Sequence, residues 1–105
     1  MKNKIAIVGA GQFGTALSNS LALNKENKIQ LFSKSSAKVK EINSVRRNSL
    51  VFPNKILHNN ISASNDFKEL KNFRFVFIAI PSFMIEDFVN ENKKYFADDT
   101  IVINL

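Results

Sequence analysis

The sequence contains no cysteine, so disulfide bonds, thiolate nucleophiles and cysteine-ligated metal sites are excluded. It also lacks any apolar run close to the roughly 20 residues of a membrane-spanning helix. The first four residues, Met1-Lys2-Asn3-Lys4, lead directly into an apolar stretch and do not form the pattern of a signal or transit peptide. These absences favour a cytoplasmic protein without membrane insertion, in which we assign no metal ligands.

Acidic residues are also in short supply, and the formal net charge is +6 at pH 7. A cluster of Lys and Arg would indicate nucleic-acid binding. The nearest approach to a cluster is Lys34, Lys38 and Lys40, and no aromatic residues alternate with these lysines to stack on bases. We therefore expect no nucleic-acid partner. The basic surface instead favours anionic nucleotides and a phosphorylated small-molecule substrate.

Glycine is scarce as well, and all three glycines, Gly9, Gly11 and Gly14, fall in one G-x-G-x-x-G motif. An apolar run at residues 5–8 precedes the motif and a helix-period segment follows it, which is the context of a dinucleotide-binding turn. Gly9 would allow the tight turn, Gly11 the approach of a pyrophosphate, and Gly14 close packing of helix on strand. The phosphates would lie on the free N–H groups of a helix that opens near Phe13. The alternative is a strand-to-helix turn that binds no ligand.

Strand and helix patterns alternate along the chain, which predicts one α/β domain over residues 1–105. We expect a Rossmann-type, doubly wound parallel sheet with strand order 3-2-1-4-5, truncated after the fifth strand. The expected strands are residues 4–8, 28–32, 61–64, 73–80 and 100–105. The expected helices are residues 12–24 and 36–45, a short helix after Asp66, and a helix capped by Ser82. Residues 46–60 lack a regular pattern, and we interpret His58, within them, as a surface loop residue without a catalytic role.

The end of the second strand bears on the choice of cofactor. An acidic side chain there would bind the ribose hydroxyls of NAD, but this chain has Ser33 and Lys34 at that point and no Asp or Glu from there until Glu41. Because a lysine beside serines can bind a 2′-phosphate, the sequence favours NADP over NAD. In the alternative interpretation, Lys34 is a solvated loop cation and Ser35 or Ser36 only caps the next helix.

The end of the fourth strand borders the same crevice in a doubly wound sheet. Pro81 stops this strand because it cannot donate a ladder hydrogen bond. We therefore expect Ala79, Pro81 and Ser82 to contact the ribose or nicotinamide side of the cofactor. The full set of predicted cofactor-binding residues is Gly9, Gly11, Gln12, Phe13, Gly14, Ser33, Lys34, Ala79, Pro81 and Ser82.

With these motifs in place, the chain resembles the N-terminal domain of bacterial NAD(P)-dependent glycerol-3-phosphate dehydrogenase over essentially its whole length. The resemblance implies that Gln12 and Phe13 lie against the cofactor and that Lys34 replaces the basic or histidine residue that meets the adenosine phosphate. It also implies hydride transfer from NAD(P)H to dihydroxyacetone phosphate, giving sn-glycerol 3-phosphate for phospholipid synthesis. The segments that carry the resemblance are residues 9–17, 31–34, Ile42-Asn43, Arg47-Asn48, Phe52-Pro53, Ser64-Asn65-Asp66 and Ala79-Ile80-Pro81-Ser82.

The resemblance further implies that the catalytic and substrate-binding lysines lie beyond Leu105, so no residue of this chain is assigned a catalytic role. We expect an isolated cofactor-binding portion of a longer protein, inactive alone, whose absent C-terminal domain binds substrate and could form a homodimer. Three alternatives remain. They are a different NADP-dependent reductase of the same fold, a nucleotide-sensing regulatory module that catalyses nothing, and a folded domain with a vestigial site that binds neither cofactor.

Overall fold

A five-stranded, fully parallel sheet forms the centre of the computed structural model, which describes residues 3–105. The strands lie in the order β3-β2-β1-β4-β5, which confirms the predicted Rossmann-type topology. Met1 and Lys2, part of the expected leaderless amino terminus, lie outside the described residues. The strand bounds are β1 Asn3–Val8, β2 Asn27–Phe32, β3 Ile61–Ser64, β4 Phe75–Ile78 and β5 Ile101–Asn104.

Helices cover both faces of the sheet. The α-helices are α1 Gln12–Leu21, α2 Ser36–Val45 and α3 Ser82–Asn92, and 3-10 helices span Phe67–Asn72 and Lys93–Tyr95. Alternate residues of β1 enter two separate cores. Ile7 packs in the core that includes Ile42 of α2, and Val8 packs in the core that includes Phe88 of α3. Burial on both faces explains why residues 5–8 of β1 form a continuous apolar run.

Three details differ from the sequence predictions. The short helix after Asp66 is a 3-10 helix, although Asp66 caps it as expected by accepting a hydrogen bond from the N–H of Lys68 (3.2 Å). Helix α1 ends at Leu21 and not near residue 24. Strand β4 covers only Phe75–Ile78, because Phe73 still closes the preceding 3-10 helix through a bond from its N–H to the Leu70 carbonyl (3.1 Å).

Candidate dinucleotide-binding site

Gly9 forms the turn after β1 in a backbone conformation that residues other than glycine rarely adopt. Its φ angle is +113°, and a Cβ at this position would collide with the carbonyl group of Ala79, whose carbon lies 2.9 Å away. The Gly9 N–H donates to the Phe32 carbonyl (2.9 Å), which ties the turn to β2. Both the left-handed φ and the close approach of β4 require glycine here.

Gly14 brings α1 onto the turn. A Cβ on Gly14 would overlap the carbonyl oxygen of Gly9 and lie 3.1 Å from its carbon, with the Ile7 side chain 3.4 Å away. The role predicted for Gly14, close packing of helix on strand, is confirmed.

Gly11 differs from the other two glycines, because protein packing does not explain it. Beyond its chain neighbours and its own helix, no atom of residues 3–105 lies within 4 Å of a Cβ placed there. Gly11 is the N-cap of α1, and Gln12 and Phe13 follow it on the exposed first turn, with the Phe13 side chain 58% exposed. The backbone therefore borders open space where a helix presents its unpaired N–H groups.

A crevice of about 340 Å³ opens beside this turn. The ends of β1 and β2 form one side of the crevice and α3 forms the other. Lys34 thus faces the same space as Asp87 and Glu91, which are four residues apart on one face of α3. The lining residues are Val8, Gly9, Ala10, Phe32, Ser33, Lys34, Phe67, Ile80, Met84, Asp87, Phe88 and Glu91.

Two serine hydroxyls in the segment after β2 accept backbone hydrogen bonds at the start of α2. Ser33 Oγ accepts from the N–H of Ser35 (3.1 Å), and Ser35 Oγ accepts from the N–H of Lys38 (3.2 Å). Ser35 is therefore the N-cap of α2, as one alternative proposed. Lys34 is exposed, takes no part in this cap and is one of the residues that line the crevice.

Glu41, the first acidic residue after β2, belongs to a different contact. Its carboxylate accepts a hydrogen bond from the N–H of Ser49 (3.0 Å). The Ser49 side-chain and backbone hydrogen bonds lower the pKa of Glu41, with a smaller contribution from the charge of Arg47. This carboxylate binds the loop after α2.

The residues predicted at the end of β4 are only partly at the crevice. Ala79 contacts the turn through Gly9, whereas Pro81 and Ser82 are exposed and, within the described chain, are not lining residues. The expected capping role of Ser82 is wrong. Pro81 occupies the N-cap position of α3 and its carbonyl accepts from the N–H of Met84 (2.9 Å), so Ser82 is already the first helical residue. Contact of Ala79, Pro81 and Ser82 with a cofactor stays a prediction.

Sequence reasoning missed two side chains that hold the glycine-rich turn. The carbonyl of Ala10 accepts from Lys38 Nζ (3.1 Å) and from Asn48 Nδ2 (2.9 Å). Asn48, which is fully buried, also donates to Thr15 Oγ1 (3.0 Å). Asn48 entered the sequence analysis only as part of the Arg47-Asn48 resemblance segment. No periodicity in residues 46–60 indicates its contact with the turn, because the contact depends on the path of an irregular segment.

A second cavity, of about 350 Å³, lies between α1 and the loop after α2. Its walls include Ala16, Asn19, Phe52 and His58. His58 is half-buried, and its N–H donates to Asn19 Oδ1 (3.3 Å), so it is less exposed than a simple surface residue. Across residues 3–105, no helix is long and apolar enough to cross a bilayer, and no three His, Asp or Glu side chains group as metal ligands would.

The parallel sheet and its glycine-rich turn define a Rossmann-type domain of the dinucleotide-binding class. A family model described as the N-terminus of NAD-dependent glycerol-3-phosphate dehydrogenase matches residues 4–105. The chain therefore belongs to this family, as the sequence resemblance predicted.

Relatives with known names agree with this assignment. The glycerol-3-phosphate dehydrogenase [NAD(P)+] of Carboxydothermus hydrogenoformans is 35% identical over 102 residues, which cover 96% of this chain and 30% of the relative. The crystal structure of glycerol-3-phosphate dehydrogenase from Coxiella burnetii matches with a TM-score of 0.89 and 31% identity, covering 98% of this chain and 32% of that one. The yeast enzyme, at 18% identity and a TM-score of 0.88, shows the common fold. The chain spans about 30% of the length of the curated relatives it matches.

Proposed function

We propose that this chain binds NADPH or NADH, with the diphosphate on the first turn of α1 beside Gly11. The observation that carries the proposal is the open space at Gly11. It is the one glycine of the motif at which an added Cβ would meet no atom of residues 3–105 beyond its chain neighbours and its own helix. In dinucleotide-binding turns, the diphosphate of the ligand fills such a space. Its negative charge interacts with the unpaired N–H groups and the positive end of the helix. The residues present therefore fit the cofactor, with Gly11, Gln12 and Phe13 as the diphosphate side of the site.

The adenosine half would enter the crevice between β2 and α3. Ser33 and Lys34 lie at the end of β2, where the ribose is bound in this fold. The Lys34 ammonium group would pair with a 2′-phosphate, and this is the basis of the proposed preference for NADPH. Asp87 and Glu91 border the same crevice on α3, so their carboxylates work against that preference. The preference for NADPH over NADH thus depends on whether the 2′-phosphate lies nearer to Lys34 than to these two carboxylates.

For the whole protein, we propose reduction of dihydroxyacetone phosphate to sn-glycerol 3-phosphate. The bound nicotinamide would supply the hydride, and the residues of this chain would bind and orient the cofactor. Orientation alone accelerates a reaction greatly, but proton donation needs a further group near the substrate. The names of the relatives and their threefold greater length support a substrate-binding part outside these residues.

The finer expectations on partners and location are part of this proposal. The substrate would be a phosphorylated small molecule, which the net charge of +6 favours, and nucleic acid would not be a partner. A homodimer would form through sequence outside these 105 residues, and the enzyme would work in the cytoplasm.

The test is oxidation of NADPH, and of NADH in parallel, in the presence of dihydroxyacetone phosphate by the protein at its natural length. We expect turnover that requires dihydroxyacetone phosphate and is faster at limiting NADPH than at limiting NADH. Lys34→Glu should lower the preference for NADPH about tenfold, the scale of one lost charge-assisted hydrogen bond.

Lys40→Glu is the matched control, because Lys40 is also exposed and undergoes the same charge reversal, but lies on α2 outside the crevice lining. If both substitutions lowered the preference for NADPH equally, Lys34 would contribute only to the overall positive charge and not to a specific contact with the phosphate. Cofactor binding without turnover would contradict the substrate assignment and favour another reductase or a nucleotide-sensing module.

A further inference from the structure

The buried side chain of Asn48 connects two parts of the glycine-rich turn. Its amide nitrogen donates to the carbonyl of Ala10 (2.9 Å), which lies between Gly9 and Gly11, and to the hydroxyl of Thr15 (3.0 Å), on the first turn of α1. The N–H of Thr15 in turn donates to the Gly11 carbonyl (3.0 Å). One side chain therefore bonds to residues on both sides of Gly11, to the backbone of Ala10 and to the hydroxyl of Thr15.

Asn48 reaches the turn from a separate part of the chain. It follows α2, and its own carbonyl accepts from the N–H groups of Val51 (3.0 Å) and Phe52 (2.8 Å), which fix it in a local turn. Its side chain is completely buried, so water does not compete for the two bonds it donates. Lys38 Nζ supports the Ala10 carbonyl from α2 (3.1 Å) but is only half-buried.

We propose that Asn48 is a positioning residue for the cofactor diphosphate. By fixing Ala10 and Thr15, it holds the N–H groups at Gly11 and Gln12 in the orientation that accepts an anion, so that binding need not order them. The proposal rests on the proposed binding of a dinucleotide at this turn. It predicts that loss of Asn48 weakens ligands that carry a diphosphate more than ligands that lack one.

The chain provides a matched control in Asn60. Its amide nitrogen also donates twice, to the carbonyls of Ala22 (3.0 Å) and Asn27 (2.8 Å). Like that of Asn48, its buried Oδ1 has no hydrogen-bond partner among the described residues. Asn60 precedes β3 and contacts the start of β2, at the opposite end of the sheet from the glycine-rich turn. The two asparagines thus have the same hydrogen-bonding pattern, but only Asn48 contacts the glycine-rich turn.

The experiment compares Asn48→Ala with Asn60→Ala in the protein at its natural length. Dissociation constants for NADH and for adenosine, which has no phosphate, are measured by titration, and urea unfolding confirms that each variant is folded. We expect Asn48→Ala to raise the dissociation constant of NADH about tenfold, the scale of one or two lost hydrogen bonds. The constant for adenosine should change less than about twofold, and Asn60→Ala should leave both constants at the wild-type values.

Unchanged NADH affinity in folded Asn48→Ala would overturn the proposal. Equal losses for NADH and adenosine would overturn it too, because they would indicate general loosening of the domain. If Asn48→Ala does not fold, Thr15→Val removes one of the two bonds with little change of shape, and undiminished NADH affinity in that variant is the contrary result. Failure of the wild-type protein to bind NADH would instead overturn the proposed function, and the role of Asn48 with it.

Discussion

Gly9, Gly11 and Gly14 occupy one turn, but the atoms that a methyl group would meet differ at each. At Gly9 and Gly14 the neighbours are carbonyl groups of Ala79 and of Gly9 itself, which belong to fixed backbone. At Gly11 the described chain leaves the space open. Two of the glycines therefore serve the fold, and we propose that the third leaves space for a ligand.

Substitution by alanine separates these roles. Gly14→Ala should lower the free energy of unfolding by about 1–3 kcal/mol or more, because the helix must move away from the strand. Gly11→Ala should change it by less than about 0.5 kcal/mol, since its φ of −85° suits alanine, yet should weaken NADH binding. Urea unfolding and NADH titration measure the two quantities. Wild-type NADH affinity in Gly11→Ala would contradict the assignment of this space to the cofactor.

For single residues, the motif predicted the structural roles of Gly9 and Gly14, because the tight turn and the contact of helix with turn are both set by backbone geometry within the motif. The role of Gly11 toward a diphosphate stays a prediction. Asn48 could not be predicted in the same way. Its two acceptors, Ala10 and Thr15, are more than thirty positions away in the sequence, and no spacing rule connects them. Ser82 was misassigned because the sequence does not reveal which of two adjacent residues, Pro81 or Ser82, begins the helix.

Arg46 fixes the conformation of the irregular segment between α2 and β3 by bonding to both of its ends. Arg46 ends α2 in the left-handed conformation, with φ of 60°, and its N–H donates to the Ile42 carbonyl (3.1 Å). Its guanidinium donates to the carbonyls of Leu57 (3.4 Å), His58 and Ile61 (2.7 Å). The two ends of the segment are joined in this way, and Asn48 lies within the loop they close.

Arg46→Met should therefore destabilise the protein by about 2 kcal/mol, because three carbonyls lose a charged donor. Arg47→Met is the control: it makes the same change of charge one residue later, where the side chain donates a single exposed bond to the Pro53 carbonyl (3.1 Å). Urea unfolding should show a loss of less than about 0.5 kcal/mol for that variant. Equal losses would mean that Arg46 contributes only its charge.

The helices and strands with the strongest hydrophobic patterns were predicted most accurately. All five strands were predicted from the sequence. The patterns of β1 and β4 were the clearest, because burial on both faces of the sheet makes their centres continuous apolar runs. Strand β5 lies at the edge of the sheet, and its side chains are largely exposed. The short element at Phe67–Asn72 was predicted as a helix but is 3-10, since six residues carry too little periodicity to separate the two. The path of residues 46–60 could not be predicted because it is fixed by Arg46 and Asn48 contacts with distant backbone.

For the molecule as a whole, parallel strands and their order bring the ends of β1, β2 and β4 to one edge of the sheet. The glycine-rich turn, Lys34 and the crevice beside α3 all lie there. A second cavity of similar size is lined by Thr15, Phe52 and His58. Volume alone does not distinguish the two. We propose that the cofactor enters the crevice, because Gly9, Ala10 and Lys34 line it next to Gly11.

The most direct test is a titration of ¹⁵N-labelled protein, at its natural length, with NADH, followed through the backbone amide shifts. We predict that the largest shifts occur at Gly11, Gln12 and Phe13, with smaller shifts at Lys34, because the diphosphate lies on the first turn of α1. Shifts confined to residues of the second cavity, such as Phe52 and His58, would contradict the account. A complete absence of shifts at saturating NADH would contradict dinucleotide binding altogether.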